Sequence, residues 1–98
     1  MQLLWTARAR RQRRAAIDYI ADQDPISALA VLDRIEQQTD VLFQQPELGR
    51  LGRKPGTREL VISRTPFIVV YRVRPRAKRV ELLTLLHGSQ QWLQADKT

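Results

Sequence analysis

The sequence predicts an α+β fold: a short N-terminal strand, a two-helix hairpin packed on an antiparallel sheet, and a three-strand meander closing that sheet, in the order β-α-α-β-β-β. Three observations carry this prediction. Apolar residues recur at helical spacing through two stretches of the first half that lack Gly and Pro. A break rich in Gly and Pro follows at residues 45–56, "QPELGRLGRKPG". Beyond it lie three runs rich in β-branched and aliphatic residues, spaced by turn-forming segments. With 98 residues the chain has the length of a single domain, 1–98, that buries about two-thirds of its unfolded surface.

Each element has a local cause. Gln2-Leu3-Leu4-Trp5 is short and apolar and ends at Thr6, a good N-cap. Residues 7–21 carry Ala9, Ala16, Ile17 and Ile20 on one helical stripe. Asp24-Pro25 supplies a second N-cap, with proline at the first helical position where its missing N–H costs nothing. From there Ala28/Leu29, Leu32, Ile35, Thr39 and Leu42/Phe43 form the stripe of a helix that stops before Pro46. Residues 45–56 read as an irregular, exposed loop. Residues 58–63, 67–74 and 79–87 read as strands, joined by Arg64-Thr65-Pro66 and Pro75-Arg76-Ala77-Lys78. Trp92 is a candidate target- or antitoxin-binding residue that could stack on a base or equally anchor the tail against the sheet, and residues 94–98 are expected to fray.

Charge is unevenly distributed. Residues 1–14 hold five Arg and no acid, residues 15–48 one Arg against seven acids, and residues 49–80 ten basic groups against Glu59 alone. The net +7 therefore sits in the first helix and in the 49–80 block, which favours an acidic partner, either nucleic acid or an acidic protein segment. There is no cysteine, so thiol chemistry, disulfides and zinc-cysteine sites are excluded. No apolar run approaches the ~20 residues of a membrane helix, and no apolar block follows the basic N-terminus as in a secretory signal. A soluble, cytoplasmic protein without membrane partners is expected.

Candidate chemistry is sparse. The single histidine, His87, stands at the end of the last strand and could exchange a proton near neutral pH. No second His or Cys completes a metal site, and neither a nucleophile elbow nor a phosphate loop is present, so no metal and no cofactor is expected. The basic set Arg50, Arg53, Lys54, Arg58, Arg64, Arg72 and Arg74 is the stronger constellation. By the period of two, Arg58, Leu60, Ile62 and Arg64 share one face of their strand, and Ile68, Val70, Arg72 and Arg74 one face of theirs. Apolar centres with cationic ends describe a sheet whose rim holds phosphates or a carboxylate-rich peptide. Tyr71 is expected in the core with a wet hydroxyl.

Taken in order, Tyr19-Ile20-Ala21, Asp24-Pro25 with Ala28, Pro46-x-x-Gly49-Arg50, Gly56-Thr57-Arg58-Glu59-Leu60, Pro66-Phe67-Ile68-Val69-Val70-Tyr71-Arg72-Val73 and His87-Gly88 resemble the RelE/ParE superfamily of bacterial toxins, across residues 2–93. The resemblance implies the toxin of a type II toxin–antitoxin pair, bound in a hetero-oligomer by a cognate antitoxin with a flexible acidic segment. It implies one of two activities: ParE-like inhibition of DNA gyrase, or RelE-like cleavage of mRNA on the ribosome without a metal. Ile68 stands where the nucleases typically place an arginine, and Gly88-Ser89-Gln90 where they tend to place basic residues. The "PFIVVYRV" segment looks like the ParE branch. Some nuclease relatives use a histidine near the end of the last strand, which keeps His87, with Arg58 binding phosphate, as the alternative.

The opening "RARRQRR", residues 8–14, lies inside the first predicted helix and is read as a solvated face rather than a removable signal. Arg13 replaces an apolar residue usual in the relatives, so only its stem is expected to be buried. Arg10 and Arg11 are expected to touch acidic antitoxin residues or the acidic second helix.

Overall fold

The computed structural model describes residues 1–88. The chain runs β1 (Gln2–Trp5), α1 (Ala7–Gln23), α2 (Pro25–Asp40), a 3-10 turn (Val41–Phe43), β2 (Arg50–Leu51), β3 (Arg58–Val61), β4 (Phe67–Arg74) and β5 (Arg79–His87). The five strands form one sheet in the order β1-β5-β4-β3-β2. The meander β3-β4-β5 is antiparallel as expected. β1 joins it at the far edge in parallel with β5, Gln2 opposite Arg79 and Trp5 opposite Leu82.

Both helix starts follow from their caps. The Thr6 hydroxyl accepts the Ala9 N–H at 3.1 Å and donates to the Leu83 carbonyl at 3.2 Å, so one side chain caps α1 and ties it to the sheet. Asp24 accepts both the N–H and the hydroxyl of Ser27 at 3.2 and 2.6 Å. Those bonds to the charged form hold its carboxyl below the usual carboxylate range.

The core lies between the helix pair and one face of the sheet. It gathers Ile35, Leu42, Leu60, Ile62, Phe67, Val69, Tyr71, Val80, Leu82 and Leu85, with Leu3, Trp5, Ile17 and Ile20 packed against them. Of the expected α2 stripe, Ala28, Ile35, Thr39 and Leu42 are buried, while Leu29 and Phe43 face solvent. At the β4/β5 pairing the register shifts between Val70 and Tyr71, Val70 lying opposite Thr84 and Tyr71 opposite Leu82. Leu83 is the extra residue.

Each helix closes one sheet edge with a glutamine. Gln12 accepts the Leu85 N–H at 2.9 Å and the Thr84 hydroxyl at 2.7 Å, beyond the end of β1. On the opposite side Gln38 accepts the Ser63 N–H at 2.6 Å and donates to the Ser63 carbonyl at 3.1 Å. A side-chain amide thus stands in for a neighbouring strand on each edge.

The segment expected as an irregular loop is held more firmly than its composition implies. Tyr71 is fully buried, and its hydroxyl accepts the Gly49 N–H at 2.8 Å and donates to the Pro46 carbonyl at 2.7 Å. The hydroxyl is therefore satisfied by backbone rather than by water, and burial pushes its pKa up from the ordinary tyrosine value. Arg58, opposite Tyr71 in the β3/β4 register, donates from Nη1 to the Gly49 and Glu47 carbonyls at 2.8 and 3.3 Å. A Cβ on Gly49 would sit 2.7 Å from the Tyr71 ring and hydroxyl and 2.9 Å from the Glu59 carbonyl, so only glycine fits. From this anchor the chain enters β2, pairing Arg50 with Glu59 and Leu51 with Arg58. Tyr71→Phe leaves the buried Gly49 N–H without a partner and should cost about 1–3 kcal/mol. Thermal unfolding should show a midpoint lower by roughly 4–8 °C per kcal/mol, and an unchanged midpoint would remove the hydroxyl from the account.

Candidate functional site

Tyr71, Leu60 and Leu82 point to the helices, so their sequence neighbours Glu59, Val70, Arg72 and Glu81 face the other way. That outer face is organised around two carboxylates. Glu59 is buried; its Oε1 accepts Arg50 Nε and Nη2 at 3.2 and 3.0 Å, and its Oε2 the Arg53 main-chain N–H at 3.2 Å. Glu81 is also buried, and accepts Arg72 Nε at 2.6 Å on one oxygen and Arg79 Nε at 2.7 Å on the other. The Arg72 bond above all, reinforced by Arg79 against the opposing effect of burial, holds the Glu81 carboxyl below the usual carboxylate range.

The geometry puts acids inside and bases outside. Side-chain exposure is 4 % for Glu59 against 56 % for Arg50, and 7 % for Glu81 against 43 % for Arg72 and 37 % for Arg79. Each guanidinium carries five N–H donors in a planar fork, and the pairings use at most two of them per arginine. The carboxylates therefore orient the forks and leave donors directed outward, an arrangement suited to carboxylates or phosphates.

The expected basic set does not assemble into one patch. Arg50, Arg72 and Arg74 share the outer face. Arg58 belongs to the helix side, where its Nη1 is committed to backbone carbonyls. Arg64 occupies the β3–β4 turn at φ 65°, its carbonyl accepting Arg34 Nη1 at 3.3 Å. Lys54 is exposed in the β2–β3 turn, its carbonyl accepting the Thr57 N–H and hydroxyl at 3.2 and 2.7 Å. Trp92 lies outside the described residues.

His87 pairs with Phe67 across the strands, the rings meeting edge to face at 5.9 Å and 78°. Arg58 pairs with Tyr71, four residues further along β4, which places the two roughly 13 Å apart along the strand direction. They do not converge on one point. His87 instead borders a cavity of about 20 Å³ with Arg53, Glu59, Ile68, Leu86 and Gly88, room for about one water. Among the described residues no three His, Asp or Glu side chains cluster as metal ligands do.

On α1, the Arg13 guanidinium stacks over the Trp5 ring at 4.4 Å, a cation–π contact that accompanies its half-buried stem. Arg10 and Arg11 are exposed and form no ion pair, with the acidic second helix or otherwise, among the described residues. Arg10 instead lines a shallow cleft with Arg13, Arg14, Ile17, Leu32 and Glu36.

Sequence reasoning missed Glu59 and Glu81. Two signals were present: Glu59 is the one acid among the ten bases of residues 49–80, and the four-residue turn at 75–78 sets Arg72 opposite Glu81.

The model of the ParE toxin family of type II toxin–antitoxin systems matches residues 3–92. Y4kP of Sinorhizobium fredii is 41 % identical over 93 residues, covering 95 % of this chain and 94 % of the relative. The chromosomal ParDE toxin–antitoxin system of P. aeruginosa superposes with a TM-score of 0.79 at 29 % identity, over 89 % of this chain and 95 % of the other. The toxin–antitoxin complex RelBE of E. coli matches with a TM-score of 0.67 at 13 % identity, over 91 % and 98 % of the two chains. At that identity the likeness is one of fold alone.

The pH dependence of stability tests the outer face. A depressed folded pKa gives stability that is fully present above the ordinary glutamate value of 4.5 and lost as pH falls through the folded one. Urea unfolding at successive pH values should therefore show a steeper acid loss for the wild type than for Glu81→Gln. Parallel curves would mean that Arg72 and Arg79 do not favour the ionised carboxylate.

Proposed function

This chain belongs to the ParE toxin family, and from that premise we propose that it arrests bacterial growth in the cytoplasm by binding DNA gyrase, and that a cognate antitoxin silences it. One observation supports binding over RNA cleavage above the others: Arg58 is spent on the Glu47 and Gly49 carbonyls and lies opposite Tyr71 in the middle of β4, four residues along the strand from Phe67, which His87 faces. A phosphodiester gripped by Arg58 is out of reach of the imidazole, and general acid–base transfer requires hydrogen-bond reach. Ile68, where the nucleases carry arginine, offers no donor to a developing phosphorane charge.

An acidic antitoxin segment is favoured by charges that the fold does not use. Arg8, Arg10 and Arg11 crowd the first turns of α1, which carry no acid, against the sense of the helix dipole. Arg10 with Arg14 and Arg11 with Arg14 repel at helical spacing. On the sheet, Arg50, Arg72 and Arg79 present oriented donors. Partner carboxylates relieve the first and occupy the second.

A ribosome-dependent nuclease is the second reading, favoured by the cavity that joins His87 to Arg53 and Glu59. Induction of the toxin alone in bacteria distinguishes the two. Gyrase binding predicts growth arrest with SOS induction, intact mRNA, and inhibition of supercoiling by purified toxin, all relieved by the antitoxin. New mRNA 5′ ends within codons, without SOS induction, would replace it with the nuclease, and unimpaired growth would contradict both.

A further inference from the structure

The edge of the sheet at β3 carries a gap one residue wide. β3 pairs with β4 through alternate residues, and Ile62 donates to the Phe67 carbonyl at 3.0 Å, so Leu60 and Ile62 turn their backbone groups inward while Glu59, Val61 and Ser63 turn theirs outward. β2 covers Glu59. Gln38 covers Ser63 with both halves of its amide. Val61 lies between them, and no described residue bonds its outward N–H and C=O.

The gap exists because β2 is short. Tyr71 and Arg58 draw residues 46–49 toward the helix side, and Leu48 turns back to bond the Gln45 carbonyl rather than continuing beside Val61. What remains is an open cleft of about 400 Å³ whose walls include Gln38, Val41, Leu48, Arg50, Val61 and Ser63. Val41, Leu48 and Val61 are each about half exposed, an apolar lining around unpaired backbone. That combination takes an added strand: main-chain bonds give affinity, and alternate side chains fill pockets on either side.

Charge selects the occupant. Arg50 lines the cleft, and the exposed Arg64 follows directly on Ser63, another of its lining residues. A second copy of this chain would bring its own +7 against the first. The geometry points to strand addition at Val61 by a short extended segment of the antitoxin, with an apolar residue seated on Val41 and Leu48 and acidic residues flanking it. This rests on the toxin–antitoxin reading above.

Amide hydrogen exchange tests it on the complex purified by co-expressing the chain with the antitoxin from its neighbouring reading frame. The Val61 amide should exchange at least about tenfold more slowly in the complex than in the free toxin. Val61→Glu, which sets an acid against the acidic segment, should raise the antitoxin Kd at least about tenfold with an unchanged thermal midpoint. A complex in which Val61 exchanges as in the free chain overturns strand addition while the toxin–antitoxin reading stands. Absence of any complex overturns both. Protection that rises with the concentration of the chain alone assigns the edge to a second copy, and overturns it as well.

Discussion

The hydroxyl of Tyr71 is the contact on which the β2–β3 edge of the sheet depends. It reaches from the middle of β4 to the backbone of residues 46 and 49, and Arg58 beside it takes two further carbonyls of the same segment. A stretch rich in Gly and Pro has little reason to hold one conformation, since ordering a residue costs about 1–2 kcal/mol of entropy. Here a buried donor and acceptor leave it no alternative partner, and breaking the contact strands polar groups in the core. Everything beyond it follows: Gly49 admits no side chain, Arg50 arrives opposite Glu59, and the chain joins the β3 edge only there, leaving Val61 behind it uncovered by β2.

The same economy explains the arginines. A surface arginine free to rotate loses entropy when it binds. Glu59 and Glu81, sunk into the outer face beneath Arg50, Arg72 and Arg79, make part of that loss on folding and keep the forks aimed outward. A carboxylate partner then meets donors already in place, as the proposed recognition of an antitoxin by charge and shape requires. Gln12 and Gln38 add the complementary restraint by closing the sheet edges with side-chain amides. The one outward-facing residue left between β2 and Gln38 is therefore a specific feature of this edge.

Much of the fold was legible from residues. Thr6 and Asp24-Pro25 marked the helix starts, the Ala28–Ile35–Thr39–Leu42 stripe marked the buried side of the second helix, and the alternation in 58–63 and 67–74 separated Leu60 and Ile62 from Val70 and Arg72 as the structure does. β2 was not legible, because its two residues are strand only through the Tyr71 and Arg58 contacts, which no local pattern contains. The arrangement of the charges was only partly legible for a related reason. Composition counts charges but not their partners, so Arg58 looked like a phosphate ligand although its bonds go to carbonyls, and Glu59 and Glu81 were passed over although they orient the cations. Pairing across strands decides both, and that becomes visible only once the register is known.

The most direct test of this account is the exchange rate of the Gly49 amide. Held by a fully buried phenol, it should exchange only through global unfolding, as slowly as the central amides of β4. Exchange at the rate of an exposed glycine-rich loop would show that residues 45–51 open independently of the core, and would contradict the claim that Tyr71 fixes the surface on which the arginines are arranged.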